Sequence, residues 1–198
     1  MTASHPAVLQ TIHADGRELR LQYMTPAEAP ALLAFARSLR PHDLLFLPTD
    51  ISSPEGIDEL VEGLGTGRIG VILALDGDQV VGFSSVVRSA TSWMRHIAEI
   101  SVIVSEPMRH HGFGRELTEE AFRIAEDLGV TRMLAQMTLD QQSGIDMLRG
   151  LGFTPIAILH DHVIDADERT YDLLLMHQDV ARFADTLRRL DADAAPKA

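Results

Sequence analysis

Cysteine is absent from all 198 residues, which excludes a disulfide framework, a thiolate nucleophile and a cysteine-ligated zinc site. Positive charge is scarce as well. Lys and Arg number 17 against 29 Asp and Glu, a formal net charge of −12. Duplex DNA and anionic membranes both demand a basic surface to neutralise phosphates, so neither nucleic acid nor membrane is expected as a partner. Long apolar runs are missing too, and none approaches the roughly 18 residues of a membrane-spanning helix. The opening MTASHPAVLQ lacks the basic and then apolar segments of a secretory leader, so the expected location is cytoplasmic. What is present is ordinary for a folded protein: 45% hydrophobic and 23% charged residues, in a length that allows one α/β domain burying about 70% of its unfolded surface.

Local patterns divide the chain into elements. Residues 17–24, RELRLQYM, alternate as a half-buried strand. Thr25, Pro26 and Glu28 then form a capping box with proline at the first helical position, predicting a helix to about Leu39. Ser52, Pro54 and Glu55 open a second helix carrying Ile57, Leu60, Val61 and Leu64 at helical spacing, and the intervening RPHDLLFLPTD reads as a loop. RIGVILAL and QVVGFSSVV flank Asp76-Gly77-Asp78, a hairpin signal. HIAEISVIV, residues 96–104, is the next strand. SEPMRHHGFG leads from it into an amphipathic helix with Leu117, Ala121, Ile124 and Leu128 on one face and Gly129 as its stop. A strand over about 130–138, a short helix over 141–149, and strands ILHDHVI and TYDLLLM around a DADE turn follow. The final stretch reads as an amphipathic helix with a polar tail. No repeat or linker is visible, so one domain over 1–198 is expected, with a core at about 17–176 and the helix and tail at about 177–198.

The chemistry concentrates in Arg109, His110, His111, Gly112, Phe113, Gly114 and Arg115, between an apolar strand and a helix start. A helix N-terminus offers unpaired N–H groups and a partial positive charge, and glycines at 112 and 114 let a pyrophosphate approach the main chain. Arg109 adds the charge that an acidic protein would need there. The alternative is a tight strand-to-helix turn that needs glycine only for its dihedrals. GFGREL fails the dinucleotide fingerprint because Leu117 occupies the third glycine position, and no GxxxxGK[ST] occurs. GLGTGR at 63–68 follows a helix and precedes a strand, and reads as a helix stop.

The stretch AEISVIVSEPMRHHGFGREL, residues 98–117, resembles the central acetyl-CoA motif of the GCN5-related N-acetyltransferase (GNAT) family, Arg/Gln-x-x-Gly-x-Gly/Ala. MLRGLGF, residues 147–153, is similar to that family's second cofactor motif, and the element order matches over about 17–176. The resemblance implies an α/β (α+β) fold: a central mixed, mostly antiparallel sheet, splayed after the fourth strand, HIAEISVIV, and flanked by helices on both faces. It implies acetyl-CoA as cosubstrate, with Val102, Ile103 and Val104 offering main-chain groups to the pantetheine arm. Residues 110–115 would supply the pyrophosphate-binding amides. It also implies transfer to a primary amine, on a small molecule or a protein lysine or N-terminus, and a homodimer by analogy.

Amine acyl transfer needs a base for the acceptor, polarisation of the thioester carbonyl and a proton for the thiolate. Glu99 is the candidate base: it shares a face with Ser101 and Ile103 inside an apolar strand, where desolvation raises a carboxyl pKa. An exposed or salt-bridged strand glutamate is the competing reading. The family often places a tyrosine acid just ahead of Leu-Gly-Phe, where this chain has Leu148; Tyr171 or a water could substitute. His160 and His162 would share one face of a strand, but without a third ligand no metal site is expected. A noncatalytic acyl-CoA sensor or interaction module is the alternative function.

Overall fold

The computed structural model describes residues 8–14, 17–45 and 47–194. Its centre is an eight-stranded sheet made of β1 (Val8–Ala14), β2 (Arg17–Tyr23), β3 (Ile69–Asp76), β4 (Gln79–Arg88), β5 (Ile97–Val104), β6 (Arg132–Thr138), β7 (Thr154–Ile164) and β8 (Thr170–Asp179). The spatial order is β1-β2-β3-β4-β5-β6-β8-β7, and every adjacent pair is antiparallel except β5 with β6. β1 was not expected from sequence. It makes HIAEISVIV the fifth strand rather than the fourth, and the expected splay falls directly after it.

Alternation along β3 shows how the sheet faces are divided. Ile72 and Ala74 join the core beneath α3 (Phe113–Asp127) and α5 (Val180–Ala194), while Val71, Leu73 and Leu75 join the core beneath α1 (Ala29–Ser38) and α2 (Pro54–Gly65). Helices therefore cover both faces. The capping box forms as predicted: Thr25 N–H donates to Glu28 at 2.7 Å and Ala27 N–H to Thr25 Oγ1 at 3.3 Å. The first turn, Pro26–Glu28, is 3₁₀ before α1 begins. Ser53, one residue later than expected, caps α2 by accepting from Gly56 N–H at 3.1 Å. The loop between these helices contains a short 3₁₀ turn, Pro41–Leu44.

β5 and β6 pair only at Ile97 with Arg132, Ala98 with Met133 and Glu99 with Leu134. Beyond Glu99 the two strands part, leaving one edge of β5 without a strand neighbour. α4 (Gln142–Gly150) sits beyond the end of β6. The expected strand at ILHDHVI forms as part of β7 but carries a bulge: register shifts between Leu159 and Val163, and Asp161 adopts φ 48. That bulge breaks the alternation on which a shared face for His160 and His162 depended.

Candidate active site

The gap between the parting strands is a cleft of about 400 Å³. Ile100, Ser101, Val102, Ile103 and Val104 form one wall and Ala135, Gln136 and Met137 the other; Met147 and Leu148 of α4 and the turn carrying Arg40, His42 and Asp43 complete it. The Ser105 amide donates to the Val81 carbonyl at 2.9 Å. By the two-residue alternation of an antiparallel ladder, the main-chain groups of Ser101 and Ile103 therefore turn toward β4, and those of Val102 and Val104 face the gap. Ile103 contributes instead a buried side chain to the core under α1 and α2.

At the end of β5 the chain makes a 3₁₀ turn, Glu106–Met108, and enters α3 through two left-handed residues, His110 at φ 68 and Gly112 at φ 86. Such a turn points successive amides into one concavity. Among the described residues, the amides of Gly112, Phe113 and Gly114 have no acceptor, whereas Arg115 N–H already bonds to the Gly112 carbonyl at 2.9 Å. A Cβ built on Gly112 would meet nothing within 4 Å, so glycine here is required by its φ and leaves open space over the amides. Phe113 is buried, so only its main chain is offered. Gly114 abuts Met147, whose Sδ would lie 3.2 Å from an added Cβ, which joins the helix terminus to the α4 side of the cleft. His111 lies beside Phe113 with ring centroids 6.3 Å apart, and Arg115 Nε donates to Glu119 at 2.6 Å.

Arg109 is placed differently from the other motif residues. Its Nε donates to the Val104 carbonyl at 3.1 Å and its Nη2 to Asp43 Oδ2 at 2.9 Å. Arg40 also grips Asp43, with both contacts at 3.1 Å. Burial on its own would raise the Asp43 pKa, but the hydrogen bonds from Arg40 and Arg109 outweigh it and hold the carboxyl below its ordinary value. Arg109 thus ties the end of β5 to the Pro41–Leu44 turn, a role that its position in the motif does not reveal.

Glu99 sits at the last paired position of β5, where the strands begin to part. Desolvation raises its pKa, and a hydrogen bond with the Gln136 side chain, itself in the cleft wall, works against that rise. Tyr171 stands on β8 and donates its hydroxyl to Asp165 at 2.8 Å; that bond raises the phenol pKa. Leu148 is a buried part of the cleft wall. His160 lies outside the cleft, against Asp172 at 3.0 Å, and no group of three metal-binding side chains occurs among the described residues. Sequence reasoning missed His42, Asp43, Gln136 and Asp140. They converge from separate segments, and no local pattern marks them.

The combination of a parted parallel strand pair, a cleft between the strands and an amide-rich helix terminus defines an acyl-CoA-type transferase scaffold. A profile of the acetyltransferase (GNAT) family matches residues 39–153, more than half of the chain, and the protein belongs to that family. Among solved structures, the chain is similar to a ribosomal-protein-alanine N-acetyltransferase from Brucella melitensis at 26% identity and TM-score 0.68, covering 80% of this chain and 98% of that one. It is also similar to a phosphinothricin acetyltransferase from Sinorhizobium meliloti in complex with acetyl-CoA, at 21% identity and TM-score 0.67, covering 81% and 88%. The GNAT domain of S. lividans PAT gives 17% identity and TM-score 0.70 over 89% and 99%. No curated protein matches the sequence.

Proposed function

We propose that the protein is an N-acetyltransferase that moves the acetyl group of acetyl-CoA to a primary amine by direct attack in a ternary complex. The observation that carries this reading is the continuity between the α3 terminus, with its acceptor-free amides, and the cleft beside the open edge of β5. Acetyl-CoA is a polyanion with an amide-rich arm, and it fits an anion cradle leading onto an unpaired strand edge. Gly112, Phe113 and Gly114, flanked by His110, His111 and Arg115, would hold the pyrophosphate. Val102 and the Val104 N–H would pair with the pantetheine amides, while Arg109 holds the Val104 carbonyl and so fixes the end of β5.

Glu99 is the proposed base, since a carboxylate raised by desolvation competes better for an ammonium proton. Tyr171 is not assigned proton donation, because its hydroxyl is committed to Asp165. The relatives named above act on a ribosomal-protein alanine and on phosphinothricin, so the acceptor screen begins with both chemistries. The net charge of −12 favours a cationic acceptor.

The test is calorimetric titration of acetyl-CoA, followed by thiol release with an alanine-terminated peptide, a lysine peptide and phosphinothricin. Micromolar binding is expected in the wild type and its loss in the Arg109→Ala, Gly112→Trp double variant. No binding by the wild type overturns the reading. Leu148 at the place of the usual tyrosine favours one competing reading, a noncatalytic acyl-CoA sensor; tight binding with an intact thioester in every acceptor reaction would select it.

A further inference from the structure

An ammonium acceptor loses two protons as it becomes an amide, and the leaving thiolate must gain one. Glu99 accounts for the first loss in the reading above. No group assigned so far handles the second proton: Leu148 is apolar and the Tyr171 hydroxyl is held by Asp165. His42, however, lines the same cleft from the Pro41–Leu44 turn, and Asp140 lines it from the turn between β6 and α4.

His42 Nε2 lies 3.0 Å from Asp140 Oδ2, so the pair spans the two walls of the cleft. Nε2 is buried and out of line for a directed hydrogen bond, a looseness common in ligand-free catalytic pairs that tighten on closure. With Nε2 turned to a carboxylate, the favoured neutral tautomer carries its proton there and leaves the lone pair on Nδ1. The His42 side chain is 29% exposed, so the ring is not sealed away from the cleft. Tyr171 of β8 flanks it at 5.2 Å between ring centroids. Of the other charged groups in the cleft, Arg40, Arg109 and Asp43 are bound to one another, which leaves Asp140 as the carboxylate facing the imidazole.

We propose that His42 is the proton shuttle of the acetyl transfer, oriented by Asp140; this rests on the N-acetyltransferase reading. As the amine lone pair forms the C–N bond, His42 Nδ1 takes the remaining acidic N–H proton. The C–S bond then breaks with its electron pair on sulfur, and the imidazolium returns that proton to the thiolate. The ammonium proton leaves through Glu99 to water, so the products are amide, CoA thiol and one proton. One side chain thereby fills both the second-base role and the acid role that Leu148 cannot.

The experiment compares wild type, His42→Ala, His42→Gln and Asp140→Asn for acetyl-CoA affinity and for the pH profile of thiol release with the alanine-terminated peptide. The His42 variants are expected to keep wild-type acetyl-CoA affinity and thermal stability while losing about 10²-fold in kcat. Free imidazole should restore part of the activity of His42→Ala and none of His42→Gln, whose side chain fills the space. Asp140→Asn should show a smaller loss and a displaced acidic limb. A His42→Ala enzyme with wild-type kcat, or a loss that imidazole does not rescue and that leaves the pH profile unmoved, overturns the shuttle alone. A wild type that binds acetyl-CoA but acetylates no amine overturns the enzyme reading with it.

Discussion

At Glu99, stability and the proposed base role pull in opposite directions. Its carboxyl is desolvated on β5 and its pKa is raised, so the folded state binds that proton more tightly than the unfolded chain does. The resulting stability is fully present below the unfolded carboxyl value of about 4.3 and is lost as pH rises through the higher folded value. Glu99→Gln removes the charge and keeps an amide for Gln136. It should therefore unfold at higher urea than the wild type at pH 7, with the gap closing as pH falls below about 4, while its rate of acetyl transfer drops by about 10²-fold or more. A variant with unchanged stability at pH 7 would mean that the carboxyl is hydrated, and one with full activity would remove Glu99 from the mechanism. This environment was legible in the sequence, because alternation within an apolar strand reports burial. The side chains of Arg109 and His42 were not. Arg109 meets Asp43 from 66 residues away and His42 meets Asp140 across the cleft, and neither spacing leaves a trace in local periodicity.

At the scale of elements, α3 carries the proposed cradle and its seat on the sheet depends on Gly70. A Cβ there would stand 2.5 Å from Ile124 Cγ2, so the helix lies closer to β3 than any side chain at that position allows. Gly70→Val should cost about 1–3 kcal/mol by overpacking and, by lifting α3, weaken acetyl-CoA binding. A lowered Tm with unaltered affinity would show instead that the 105–112 turn positions the amides independently of the helix body. α3 itself was plain in the sequence, since Leu117, Ala121 and Ile124 recur at helical spacing and all are buried. β1 was not: VLQTIHA presents no continuous apolar face, and only its pairing with β2 makes it a strand. The bulge near His160 was hidden for a similar reason. The strand residues read correctly, but the left-handed Asp161 is set by partners on β8, including Asp172, which accepts its amide at 3.0 Å.

For the whole molecule, pattern reasoning supplied the elements but not their order in the sheet. The insertion of β8 between β6 and β7 is a choice of partners about which hydrophobic period says nothing; the splay was expected only because a family motif implied it. Composition does carry one molecule-wide consequence. At −12 the protein repels a polyanionic cosubstrate at long range, whereas the proposed α3 cradle would attract its phosphates only at contact. The Debye length falls from about 30 Å at 0.01 M salt to about 10 Å at 0.1 M, so added salt should screen the far repulsion before it weakens the local cradle. The association rate of acetyl-CoA is therefore expected to rise between those concentrations, whereas kcat/KM for a cationic peptide acceptor falls, because its approach to an acidic surface is steered. Stopped-flow binding and steady-state rates along one salt series measure both. Opposite slopes would support long-range repulsion of the cosubstrate and attraction of the acceptor; a parallel fall of both rates would mean that a local basic field at the cradle mouth outweighs the net charge.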